Sequence, residues 1–70
     1  MKVLDARGLS CPEPVIMIRQ AMAKKEDRYE MTVDNVTSRE NVTRFAEHQG
    51  YTVEVTENDG EYTLLISRNK

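Results

Sequence analysis

The sequence predicts an α/β (α+β) fold, a two-layer sandwich with two helices on one face of a sheet in the order β-α-β-α-β-β. Three observations predict it. Val15, Ile18 and Met22 recur at helical spacing, as do Val42, Phe45 and Ala46, so two segments each bury one stripe. Tyr29, Met31 and Val33, then Tyr51, Val53 and Val55, then Tyr62, Leu64 and Ile66 alternate with polar residues, which marks strands covered on one face only. Right-handed crossovers place both helices on the same side of the sheet when the chain keeps moving in one direction.

The elements follow in order. Lys2 to Asp5 reads as a short first strand, and Ala6 to Ser10 as a loop in which Gly8 is free to adopt positive φ. A helix is predicted from about Pro12 to Lys25, with Ala21 beside its stripe and Lys24 and Lys25 at the end where cations suit the helix dipole. Glu26-Asp27-Arg28 connects it to the strand beginning at Tyr29. Asp34 to Ser38 forms a loop in which Thr37 or Ser38 caps a second helix from about Arg39 to Gln49. Gly50 stops that helix. The third strand follows from Tyr51, Asn58-Asp59-Gly60 is a hairpin signal, and the fourth strand carries Tyr62, Leu64 and Ile66.

The 70 residues form one domain, 1–70, with no repeat, linker or low-complexity tract. A domain this small buries only about 60% of the surface its unfolded chain exposes, so any site is expected at the surface. Ten basic and twelve acidic side chains give a net charge of −2. That leaves no strong positive field for nucleic acid. The longest apolar run, Val15 to Ile18, is far too short to span a membrane, and an acid at Asp5 comes too soon for a signal peptide. A cytoplasmic protein is the expectation. The single cysteine cannot form an internal disulfide, and neither a metal-ligand cluster nor a cofactor-binding loop is read from the residues, so no metal and no cofactor is expected.

Ser10-Cys11-Pro12-Glu13-Pro14 is the most informative stretch. Ser10 and Glu13 have capping-box spacing, but that register puts Pro14 where its missing N–H removes a helix hydrogen bond. With Cys11 as N-cap, Pro12 is the first helical residue and Pro14 the third, and neither proline wastes a donor. This second register is preferred. It also suits Cys11, because a residue before proline avoids the helical region, whereas Glu13 before Pro14 is strained. A thiol at a helix N-terminus is favoured as the thiolate, and its pKa falls from about 8.5. The Glu13 N–H is free to point at a sulfur anion, Arg7 adds positive charge, and the Glu13 carboxylate opposes it. On pattern alone a buried, inert Cys11 continuing the Val15 stripe has even weight. The proline context moves the balance toward a reactive thiol at the helix tip.

Other candidates are weaker. His48 reads as a surface cation at a helix end, and Met17, Met22 and Met31 as core fillers. Asp34 reads as a cap or turn residue rather than a catalytic acid, and Lys24, Lys25 and Arg28 as a solvated cluster. Ile16 lies off the stripe and is either a partner contact or rim packing.

Leu4-Asp5-Ala6-Arg7-Gly8-Leu9-Ser10-Cys11-Pro12-Glu13-Pro14-Val15 resembles the signature of the TusA/SirA-like sulfur carriers, in which Cys-Pro-x-Pro follows a short strand and an Arg-Gly loop. Asp34-Asn35, Glu40 to Glu47 and Gly50-Tyr51 are most similar to the N-terminal domain of YedF-like proteins, which are linked to selenium metabolism. The resemblance implies a fold like the C-terminal domain of translation initiation factor three, with a mixed four-stranded sheet ordered 1-2-4-3. It implies a sulfurtransferase-type carrier in which Cys11 is the catalytic position, supported by Arg7, Gly8, Pro12, Glu13 and Pro14. Cys11 would accept sulfane sulfur as a persulfide from a donor such as a cysteine desulfurase or rhodanese. It would relay that sulfur to an acceptor protein, which the YedF-like branch suggests is DsrE-like. Val33-Asp34-Asn35-Val36 departs from the Asp-Asp-Pro-like segment of the carriers acting in tRNA thiolation. A single-domain member and a piece of a longer chain both fit. Two alternatives stand beside the carrier: a selenium-handling protein using the same thiolate chemistry, and a regulatory or RNA-binding module with Arg39, Arg44, Lys24 and Lys25 as contacts.

Overall fold

The computed structural model describes residues 2–10 and 12–68. Its elements are β1 (Lys2–Asp5), α1 (Glu13–Met22), β2 (Arg28–Val33), α2 (Val36–His48), β3 (Tyr51–Asn58) and β4 (Glu61–Arg68). They form one four-stranded sheet in the order β1-β2-β4-β3. β1 runs parallel to β2, and β4 pairs antiparallel with β2 and β3. The sheet is therefore mixed, and the expected architecture and strand order are those observed.

Register explains the single core. Tyr29, Met31 and Val33 of β2 stand opposite Ile66, Leu64 and Tyr62 of β4, so one face of the two central strands is continuously apolar. That face is buried, together with Ile18 of α1 and Val42 and Ala46 of α2. Val15, Met17, Met22 and Phe45 pack partly buried around it. Thr52, Glu54 and Leu65, on the other face, are exposed. The β3–β4 hairpin closes on Asp59 and Gly60 with φ of 52° and 81°, the paired positive values of a two-residue type I′ turn.

Three boundaries differ from the sequence reading. α1 stops at Met22 rather than running to Lys25, and Lys25 has a φ of 56°. The buried Tyr29 hydroxyl donates to the Ala21 carbonyl and accepts the Glu26 N–H, each at 3.0 Å, so a tertiary bond turns the chain where local propensity would continue the helix. Lys24 and Lys25 lie beyond the last helical turn, whose basic residue is Arg19. α2 begins at Val36, three residues before the predicted Arg39. Its N-cap is Asn35, which accepts the Ser38 N–H at 2.7 Å. Ser38 is thus inside the helix and buried, and neither it nor Thr37 is the cap. The second strand spans Arg28–Val33, starting one residue before Tyr29 and taking Arg28 from the expected connection.

Candidate functional site

β1 delivers the chain to the site. Past Asp5, the buried Ala6 donates its N–H to the Thr32 carbonyl of β2 at 2.8 Å. The Leu9 N–H then returns to the Ala6 carbonyl at 3.3 Å, closing a four-residue turn. Gly8 holds its third position at a φ of 78°, the backbone geometry that favours glycine there.

Two groups brace this turn from opposite sides. The Arg7 guanidinium donates through Nε and Nη2 to the two carboxylate oxygens of Asp5, each at 2.9 Å, and through Nη1 to Glu61 at 3.4 Å. The hydrogen bonds from Arg7 hold the Asp5 carboxyl well below its ordinary value, at about 2. The same pairing raises the Arg7 pKa further. Just past the end of β2, Asp34 Oδ2 accepts the Gly8 N–H at 2.7 Å. Asn35 Nδ2 donates to Asp34 Oδ1 at 3.2 Å and reaches the Leu9 carbonyl at 3.5 Å.

The helix start lies one residue later than the preferred register. Pro12 is the N-cap and its carbonyl accepts the Ile16 N–H at 3.0 Å. Glu13 is the first helical residue and the buried Pro14 the second. Pro14 still sacrifices no helix bond, because the first turn has no intrahelical acceptors. The Glu13 N–H is not free as expected, since it donates to the Ser10 carbonyl at 2.9 Å. Arg7, expected as positive charge for a thiolate, is committed to two carboxylates. Cys11 itself, with its expected N-cap role and partial exposure, lies outside the described residues.

Arg7, Gly8, Pro12, Glu13 and Pro14 are thus brought into one braced segment. Asp5, Asp34 and Asn35 complete it, and the sequence reading did not give them that role. One signal was available: parallel strands end side by side, so the residues following β1 and β2 share one edge, where α/β sheets place their sites. Beside Pro12 lies an open groove of about 560 Å3, lined by Val15, Arg44, Phe45, His48 and Gln49 among others. Ile16 is 37% exposed on the same helix. Among the described residues, no group of three or more His, Cys, Asp or Glu side chains comes together to hold a metal ion. No described helix is long and apolar enough to cross a membrane.

The fold and this segment define a small α+β protein with a braced turn at the edge of its sheet that leads into α1. Residues 2–68 match the family model described as Sulfurtransferase TusA, and the chain belongs to that family. It is 35% identical over 71 residues to a Methanocaldococcus jannaschii protein named "Putative sulfur carrier protein MJ0990", covering 97% of this chain and 95% of that one. It also superimposes on the crystal structure of a SirA-like protein from Desulfitobacterium hafniense with a TM-score of 0.90 at 35% identity, each chain fully covered.

Proposed function

We propose that the protein is a sulfur carrier in which Cys11 accepts sulfane sulfur as a persulfide and passes it to an acceptor protein. The observation that carries this reading is the place of Cys11 in the sequence, directly before the N-cap of α1 and after a braced turn, in a chain of the TusA family. A thiolate beside a helix N-terminus is favoured electrostatically. It attacks the terminal sulfur of a donor persulfide. A sulfur–sulfur bond forms to Cys11 as the donor's own sulfur–sulfur bond breaks, and the donor leaves as a thiolate. The transferred sulfur keeps its proton, and no oxidant or reductant is consumed. The second transfer repeats this step on an acceptor thiolate.

Such chemistry needs a docking surface and no deep pocket. The groove beside Pro12 offers one, with Val15 and Phe45 among its apolar residues and Arg44 and His48 among its polar ones. A donor such as a cysteine desulfurase or rhodanese and an acceptor protein are the partners this reading requires. The RNA-binding alternative loses support from the structure. Arg39 lies 5.0 Å over the Tyr62 ring and 3.5 Å from Glu40, so one of its proposed phosphate contacts is already engaged.

The test is intact mass after incubation with a cysteine desulfurase and cysteine. The wild-type chain gains one reducible sulfur atom and Cys11→Ser gains none. Equal masses for both proteins would end the proposal.

A further inference from the structure

We propose that Asp34 is a positioning residue for Cys11, acting through the turn that leads into it. The inference rests on Cys11 being the reacting group. Asp34 is exposed and lies outside the core. Its carboxylate instead accepts the Gly8 N–H at 2.7 Å, across 26 residues of sequence. A hydrogen bond to an ionised acceptor is about twice as strong as a neutral one.

The neighbouring residue makes the clamp stiff. Asn35 caps α2 through its Oδ1 while its Nδ2 donates to Asp34 and reaches the Leu9 carbonyl. The turn is thereby tied to the start of a 13-residue helix. On the other side Arg7 ties it to Asp5 and Glu61, and the Ser10 carbonyl, just before Cys11, holds the Glu13 N–H that follows it. The backbone is therefore fixed on both sides of Cys11, and Asp34 supplies the short link on the incoming side. Reacting groups lose rate steeply when displaced by about 1 Å, so this link governs reactivity more than folding.

The experiment uses the full chain with Asp34→Ala and Asp34→Asn. Sulfur uptake by Cys11 is followed at varied concentrations of a cysteine desulfurase, and each variant is melted. Asp34→Ala lowers the maximal uptake rate about tenfold, as loss of a hydrogen bond to a charged group does. The half-saturating donor concentration stays unchanged, and the variant still melts cooperatively. Asp34→Asn keeps one oxygen for the Gly8 N–H and loses only the weaker bond from Asn35, so it recovers in part, to within about threefold of wild type. An unchanged rate in Asp34→Ala overturns the proposal. So does an Asp34→Asn as slow as Asp34→Ala, an effect confined to donor affinity, or an Asp34→Ala that does not fold. Alkylation of Cys11 by iodoacetamide is measured in parallel. Should the wild-type chain take up no sulfur, the carrier reading fails, and the same ordering of alkylation rates still decides the role of Asp34.

Discussion

Arg7 shows how a charge in sequence differs from a charge in space. Its nearness to Cys11 suggested direct support of a thiolate, yet its guanidinium is shared between Asp5 and Glu61. These contacts are exposed, so their worth is small and screened by salt. They set conformation more than stability. The Asp5 carboxyl titrates at about 2 instead of 3.8. A carboxylate whose pKa is depressed on folding stabilises the fold fully above its unfolded value, and that contribution disappears as pH falls through the folded value. The brace is therefore intact above pH 3.8 and lost near pH 2. Carbon-detected NMR titration of the Asp5 carboxyl checks this. In Arg7→Ala the midpoint returns toward the ordinary value. Cys11 and its prolines stand out as candidates in sequence because their chemistry is intrinsic to residue type. Asp34 was not, because its role depends on which backbone amide it faces across the sheet edge.

At the scale of elements, apolar periodicity located α1, α2, β2, β3 and β4, and the larger errors fell at helix ends. α1 begins at Glu13 because Pro12 supplies the first accepting carbonyl, a one-residue difference that side-chain types alone do not resolve. It ends early because Tyr29 reaches under it from β2. Both causes are tertiary or geometric, whereas propensity is local. The α2 start was recoverable, since asparagine ranks with serine as an N-cap and Asn35 precedes Ser38 at cap spacing. Asn35→Ala is expected to cost about 1 kcal/mol of stability from the cap, measured by urea denaturation. It also slows Cys11 in the way Asp34→Ala does, because the same side chain steadies the clamp. An Asn35→Ala with wild-type stability would show that the cap does not hold α2.

For the whole molecule, the Cα radius of gyration of 10.7 Å matches the value of about 11 Å for a compact chain of this length. One layer of helices on one sheet face leaves no interior beyond the core, so function is confined to the surface. The strand order was implied by the family resemblance and not by periodicity, although its physical reason is visible in composition. β4 carries Tyr62, Leu64 and Ile66 on its buried face, which suits a central strand. β3 carries Glu54 and Glu57 and leaves Val55 43% exposed, which suits an edge, where charge discourages unwanted pairing. The open groove beside Pro12, next to the braced turn that ends the β1 edge, is the surface on which the proposed donor and acceptor would dock in turn. The most direct measurement is a single-turnover discharge. The chain is loaded with isotopically labelled sulfur, freed of donor and mixed with an acceptor protein thiol. The label is expected to leave Cys11 and appear on the acceptor as the carrier returns to its unloaded mass. Label that never reaches Cys11, or that stays there in the presence of acceptors, would contradict the carrier reading.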